Sequence, residues 1–295
     1  MVGSAIVRNL EGRGCHLLTA SRADLDLRRQ ADVEKWTIKN RPDAVIVAAA
    51  TVGGIQANDS LPAKFIYDNL AIAMNIIDGA HQCGVEKLMF LGSACLYPRI
   101  AEQPMAEDAL MTGALEPTNE WYAIAKIAGL KMSEAYRKQY GCDFISVQPT
   151  NTFGPGDNFD LATSHVISAL LVKAHTAKMK GESTLEIWGS GNPKREFLFV
   201  DDLADALVYL LKNYSEPQHI NVGSGIEMTI RKVAETVKQV VGFDGELVFD
   251  TSKPDGMPRR LLDSTRLENL GWRPSRSFMD GLRITYDWYL EHAAD

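Results

Sequence analysis

Tyr122 and Lys126 stand four apart in "WYAIAK", so on a helix they share one face, a turn apart. Ser93 closes an apolar run, "KLMFLGS", upstream of them. A phenol, an ammonium and an alcohol brought together suit the reduction of a carbonyl or its reverse. A free phenol titrates near ~10 and is a sluggish acid at neutral pH. A neighbouring ammonium stabilises the phenolate and draws that value toward the working pH. The alcohol can hydrogen-bond the same substrate oxygen and share its developing charge. Tyr and Lys at this spacing also decorate many solvated helices, so the pair acquires meaning only if the fold delivers Ser93 to it.

The elements that would do so follow from hydrophobic patterning. Gly3, Ser4 and Ala5 start a helix through Ile6, Val7 and Leu10 that ends at Gly12 and Gly14, and Cys15–Ala20 reads as a strand after it. Ala31–Lys39 is a short amphipathic helix, and "AVIVAAA" (44–50) is a continuous apolar run expected to be a strand covered on both faces. Pro62 opens a long helix that Gly84 closes, residues 87–93 form a buried strand, 119–140 a helix stopped by Gly141, and "FISVQP" (144–149) another strand. This alternation predicts a doubly wound parallel sheet, an α/β fold of Rossmann type. Ligands on such sheets sit at the carboxyl ends of the strands, which singles out Ser21–Arg22, Ala50–Gly54, Ser93–Cys95 and Thr150–Thr152.

Beyond about residue 150 the rhythm loosens into short strands ("LEIWGSG", "HINVGSG", "ELVFD") and helices over 203–212, 230–241 and 279–292. The expected organisation is a dinucleotide-binding domain over 1–150, with 195–215 returning to it, and a smaller mixed substrate domain over 151–295. The composition is that of an ordinary globular protein, 45 % hydrophobic and 23 % charged over 295 residues. A net charge of -7 argues against nucleic acid or an anionic membrane as partner, and no run of ~18 apolar residues predicts a membrane span. Cys15, Cys83, Cys95 and Cys142 are scattered without disulfide or metal spacing, which suits a reducing cytoplasm and predicts no metal site.

In a dinucleotide-binding unit a first strand feeds a Gly-rich turn whose amides hold the pyrophosphate. Gly3 would be the third glycine of that turn, with the first strand and the first two glycines absent from this sequence; the plainer alternative is that the first helix simply starts the fold. Each buried backbone group left unpaired beside the gap costs about 1–3 kcal/mol. The expectation is weak folding and weak cofactor binding unless another segment fills the gap, with Met1 an internal methionine of a longer chain. Ser21 and Arg22 at the end of the second strand favour a 2′-phosphate, hence NADP(H), over the ribose acid of an NAD enzyme. Asp24 and Asp26 are the competing ribose acids if the strand ends two residues later.

Together with the Ser–Tyr–Lys set, "PTNTFGPGDNF", "REFLFVDDLADA" and "INVGSG" resemble the extended short-chain dehydrogenases/reductases that act on nucleotide sugars. "TVGGIQAN", "GSACLYP", "EPTNEWYAIAKIAG", "SHVISALL" and "SKPDGMPRRLLD" resemble the branch that inverts C3 and C5 of a GDP-linked 4-keto sugar and then reduces the ketone with NADPH. The resemblance implies GDP-4-keto-6-deoxy-D-mannose as substrate and a homodimer formed through the two long helices. It implies Ser93, Tyr122 and Lys126 as catalytic residues, with Cys95 and His165 exchanging protons at the inverted carbons. It places the cofactor against Gly3, Arg22, Asp26 and Leu27, against Leu91, Gly92, Ser93 and Ala94, and against Lys126, Pro149, Thr150, Asn151, Thr152 and His165. For the substrate it points to Lys173, Trp188, Arg195, Lys253 and Asp255. One departure is Thr51 before "VGG", where the branch often has Lys. Two other readings remain: a related nucleotide-sugar epimerase or reductase with a different base, and a truncated, non-catalytic relative.

Overall fold

The computed structural model describes residues 1–253 and 255–294, the side chains of Ile55 and Gln56 excepted. The chain runs through α1 (Val2–Leu10), α2 (Gln30–Asn40), β1 (Ala44–Val47), α3 (Ile55–Ser60), α4 (Pro62–Gln82), β2 (Lys87–Leu91), α5 (Glu120–Tyr140) and β3 (Asp143–Pro149). It continues through β4 (Asn151–Phe153), α6 (Val166–Lys180), β5 (Thr184–Trp188), β6 (Lys194–Phe199), α7 (Val200–Asn213), β7 (Ile220–Val222) and β8 (Glu227–Thr229). The last elements are α8 (Ile230–Val241), β9 (Glu246–Asp250), β10 (Arg259–Arg260), α9 (Thr265–Asn269) and α10 (Phe278–His292).

The fold is a Rossmann-like, doubly wound α/β sheet. Its strands lie in the order β1-β2-β3-β7, all parallel. Side chains alternate across β2: Met89 and Leu91 pack with Ala5 and Ile6 of α1 and with α7, while Leu88 and Phe90 pack with Ala73, Ile77 and Ala80 of α4. That alternation is what lets a continuous apolar run bury both faces of the sheet. Pro62 begins α4, where a missing N–H costs nothing, and Gly141 ends α5 with φ 75°, a left-handed position that glycine adopts freely.

The second lobe starts where the chain changes sheets at Thr150. Just beyond β3, β4 pairs with β6, which also takes β8 and β10. Its core joins Phe153, Leu170, Leu171, Phe197, Phe199, Val233, Val237 and Leu282. β7 returns to the first sheet, and α9 packs beneath it through Leu267.

Two sequence expectations fail on the same side of the first sheet. Cys15–Ala20 is irregular rather than a strand, and most of it is exposed. β1, expected to be covered on both faces, buries only Val47 fully. Both follow from strand pairing: the edge of β1 away from β2 bonds to no strand among the described residues. An apolar run becomes a strand only when a neighbour takes its backbone groups. Among those residues no helix is long and apolar enough to cross a membrane, and no cluster of His, Cys, Asp and Glu could hold a metal ion.

Candidate active site

Beyond β2, the Gly92 N–H donates to the Val147 carbonyl at 2.8 Å, carrying the strand one residue further. A Cβ at Gly92 would collide with the side-chain amide of Gln148. The open space lets that amide accept the Ser93 N–H at 2.7 Å. Ser93 is extended and caps the short 3-10 turn Ala94–Leu96, its Oγ accepting the Cys95 N–H at 3.2 Å. With an oxygen lone pair engaged by the backbone, the Ser93 hydroxyl hydrogen is available to a ligand.

α5 packs across this turn and the end of β2, bringing Tyr122 and Lys126 to the Ser93–Cys95 segment. Lys126 is 4 % exposed, its ammonium donates to the Leu91 carbonyl at 2.7 Å, and it lies 4.7 Å from the centre of the Phe90 ring. Burial lowers its pKa to about 8. The expectation that this ammonium draws the Tyr122 phenol toward neutrality is not met. Burial pushes the phenol well above its ordinary value, and the nearby Cys95 sulfur pushes the same way. The Lys126 contacts explain the difference, since they go to a carbonyl and a ring. Tyr122 is therefore a protonated phenol at neutral pH, the form that can give a proton to a ketone oxygen.

His165 is the N-cap of α6 and is exposed. None of the contacts among the described residues joins it to Cys95 or Tyr122. It sits beside the strand-end loops, for the preceding Thr163 carbonyl accepts the Gly54 N–H at 3.1 Å.

The cofactor-side residues flank the carboxyl edge of the first sheet. Gly3 lies in the first turn of α1, where a Cβ would stand 3.9 Å from that of Ala48, just past β1. That turn carries no acidic residue, leaving amides and a positive dipole end suited to a pyrophosphate. Arg22 is exposed and its guanidinium donates to the Ala50 carbonyl at 3.3 Å. The Asp26 carboxylate takes two bonds from Arg28, both 2.9 Å, and this pairing holds its pKa near about 2. Asp24 is bound by the Ser21 hydroxyl at 2.6 Å. Both competing ribose acids are thus engaged by neighbours, while Arg22 keeps donors to offer. Asn75 donates to the Leu27 carbonyl at 2.9 Å. Thr51 donates to Asp68 at 3.0 Å and takes the place of the Lys common in the resembling branch. Leu91 and Ala94 are buried on either side of Gly92 and Ser93, and Pro149–Thr152 spans the crossing between the two sheets. Asn151 is fixed there by donating to the Glu196 carbonyl at 3.1 Å. These residues fit an NADP(H): free helix amides for the pyrophosphate and, for the 2′-phosphate, a guanidinium with donors left beyond its bond to the Ala50 carbonyl.

On the substrate side, Trp188 at the end of β5 is 61 % exposed, with the Lys173 ammonium 4.8 Å and the Lys253 ammonium 5.5 Å from its ring. Asp255 accepts from the Ser190 N–H and hydroxyl at 2.6 and 2.7 Å, which holds the loop across β5. Arg195 is half-buried on β6 beside Arg260 on β10. Burial first, then the Arg260 charge, lowers its pKa to about 10. Arg260 also reaches the Ser93–Cys95 segment, 3.2 Å from the Cys95 sulfur. Sequence reasoning missed Arg260, Gln148 and Glu196. Arg260 lay in the quoted "PRR" stretch with nothing to separate it from Arg259. Gln148 sits inside an otherwise apolar strand, a polar interruption that could have flagged it.

A strand-end serine, a tyrosine and a buried lysine on one face of α5, and a Rossmann sheet are the features of a short-chain reductase with a second lobe attached. The NAD dependent epimerase/dehydratase family model matches residues 1–223. The chain belongs to that family. It is 58 % identical over 295 residues to a GDP-L-fucose synthase of Sinorhizobium fredii, covering 100 % of this chain and 94 % of that one. Against a GDP-L-fucose synthase of Escherichia coli it is 52 % identical over 302 residues, 99 % and 94 % of the two chains. It also resembles the crystal structure of a GDP-L-fucose synthetase from Naegleria fowleri bound to NADP, with TM-score 0.92, 29 % identity and 100 % and 93 % of the chains covered.

Proposed function

We propose that this protein converts GDP-4-keto-6-deoxy-D-mannose to GDP-L-fucose, inverting C3 and C5 and then reducing the C4 ketone with NADPH. One observation carries the reading: the Cys95 thiol stands beside Ser93 and the Tyr122 phenol at the same strand end. A plain ketone reductase has no use for a thiol there, whereas an epimerase needs a group to move a proton on carbon. The full-length likeness to GDP-L-fucose synthases supports the identity of the sugar and the base.

Both inverted carbons lie next to the ketone, so loss of either proton leaves an enolate whose charge rests on the C4 oxygen. Ser93 and Tyr122 donate hydrogen bonds to that oxygen at every stage. Cys95 and His165 take and return protons on opposite faces of the ring; closure of the exposed His165 onto the substrate is part of this reading. When bound, NADPH supplies the hydride to C4. Tyr122 gives its proton to the resulting alkoxide, and the Lys126 ammonium, held on the Leu91 carbonyl a turn further along α5, keeps a positive charge on that face of the helix.

Gly3 and the start of α1 hold the pyrophosphate of NADPH and Arg22 its 2′-phosphate, with Asp26 and Leu27 bordering the adenosine end. Leu91–Ala94, Lys126, Pro149–Thr152 and His165 line the nicotinamide end. Arg195, Lys173 and Lys253 take the GDP phosphates, Trp188 covers the base or sugar, and Asp255 braces the loop. Residues 1–150 with α7, β7 and α9 form the cofactor lobe, and most of the rest of 151–295 the substrate lobe. Exposed Tyr67 and Met74 on α4 and Trp121 and Ile124 on α5 support a homodimer through these helices. Four free cysteines support a reducing cytoplasm.

The test is incubation in heavy water with NADPH and either the GDP- or the dTDP-linked 4-keto-6-deoxy sugar. Deuterium should enter at C3 and C5 and NADPH should be consumed with the GDP sugar. Turnover without exchange at either carbon removes the epimerase half.

A further inference from the structure

We propose that Arg260 is a positioning residue for Cys95, holding its sulfur toward the sugar ring and stabilising it while it carries negative charge. The proposal rests on the reading of Cys95 as a proton-transfer group.

The backbone of Arg260 is fixed from both sides. β10 runs parallel to β6 with Arg260 paired to Arg195. The Pro258 carbonyl accepts the Lys194 N–H at 2.8 Å, and Leu262 donates its N–H to the carboxylate of the fully buried Glu196 at 3.2 Å. The side chain is held by two sulfurs, Nη1 lying 3.2 Å from Cys95 Sγ and Nη2 2.8 Å from Met257 Sδ. No salt bridge among the described residues gives Arg260 a carboxylate partner. A thioether carries no charge, so among the contacts of Arg260 with the described residues the group that can become its counter-ion is the Cys95 sulfur.

A guanidinium is always charged and has no lone pair for a proton, so Arg260 cannot be the acid or base itself. Its effect must pass through the sulfur. In the inversion step the Cys95 thiolate forms an S–H bond as the ring C–H bond breaks, and the electron pair of that bond moves to the C4 oxygen. The return step reverses this, and Arg260 gains and loses no atom. A fixed positive charge in contact with the sulfur favours its anionic form. The depressed pKa of neighbouring Arg195 fits the same picture, since two guanidiniums lie side by side. The substrate diphosphate neutralises one, and the sulfur the other.

The experiment compares wild type with R260K, R260Q and R260M, the two neutral variants differing in polarity so that poor folding of one leaves the other. Each is treated with iodoacetamide near neutral pH without substrate, and alkylation at Cys95 is read by peptide mass spectrometry against Cys142. R260Q and R260M should react at Cys95 at least five-fold more slowly, with R260K nearer wild type. In the second arm, deuterium uptake at C3 and C5 of the GDP sugar should slow in the same order. Equal alkylation of Cys95 in wild type and in a folded neutral variant overturns the proposal. Failure of wild type to take up deuterium instead overturns the catalytic reading of Cys95, leaving the alkylation arm to decide the Arg260 contact.

Discussion

Lys126 is a buried cation whose cost to the fold can be titrated. Among the described residues its one hydrogen bond is to the Leu91 carbonyl, and burial brings its pKa from 10.5 to about 8. An unfolded lysine keeps its proton until about 10.4. Between these values the unfolded chain binds more protons than the folded one, so stability must rise with pH. The full difference corresponds to about 3 kcal/mol, of which about 2–3 kcal/mol falls between pH 7 and pH 10. In Lys126→Met the group is gone and this contribution vanishes. Urea unfolding of wild type and Lys126→Met at pH 7 and pH 10 isolates it, because the other titrating groups cancel in the difference. Wild type should gain about 2–3 kcal/mol on the variant over that range. Parallel pH dependences would refute the buried-ammonium argument. The same titration predicts that NADPH-dependent turnover falls as pH rises through about 8, where the ammonium that bonds the Leu91 carbonyl at the end of β2 is lost.

His219 is buried against Tyr97, with its Nε2 3.1 Å from the phenol oxygen, and burial lowers its pKa to about 4. Here the unfolded chain binds the extra proton between about pH 6.5 and pH 4, so stability falls as pH drops. Wild type should lose about 3 kcal/mol relative to His219→Asn between pH 7 and pH 4, read from thermal or urea melts. Gly129 lies where α5 crosses the Phe90 ring, and a Cβ there would strike it. Gly129→Ala should cost about 1–3 kcal/mol and lower turnover by shifting Lys126, measurable as a lower Tm and a lower kcat together. Gly92→Ala would press on the Gln148 amide that holds Ser93. It should depress kcat more than NADPH affinity, as stopped-flow binding and steady-state rates would report.

Much of the fold was readable because its determinants are local or periodic. The Pro62 start and the Gly141 end rest on backbone chemistry confined to those residues. The apolar runs at 87–91 and 143–149 needed only two covering layers of helices to become buried strands. Cys15–Ala20 was misread because strand formation depends on a neighbour in space, and periodicity carries no record of whether one is there. The strand-end rule was enough to place Ser93 near a helix bearing Tyr122 and Lys126. It could not foresee that Lys126 would face a carbonyl and a ring, because that depends on the depth at which α5 crosses β2. Arg260 was illegible for a related reason. Its contact with Cys95 is made across 165 residues of chain, through the pairing of a two-residue strand.

The central claim is that one oxygen, gripped by Ser93 and Tyr122, bears the charge in both the inversions and the reduction. Ser93→Ala and Tyr122→Phe should be assayed for deuterium uptake at C3 and C5 without NADPH, and for NADPH oxidation with it. The account predicts that each variant slows both reactions, by about 10²–10³-fold for loss of one donor. Wild-type deuterium uptake in both variants, with only NADPH oxidation lost, would contradict it.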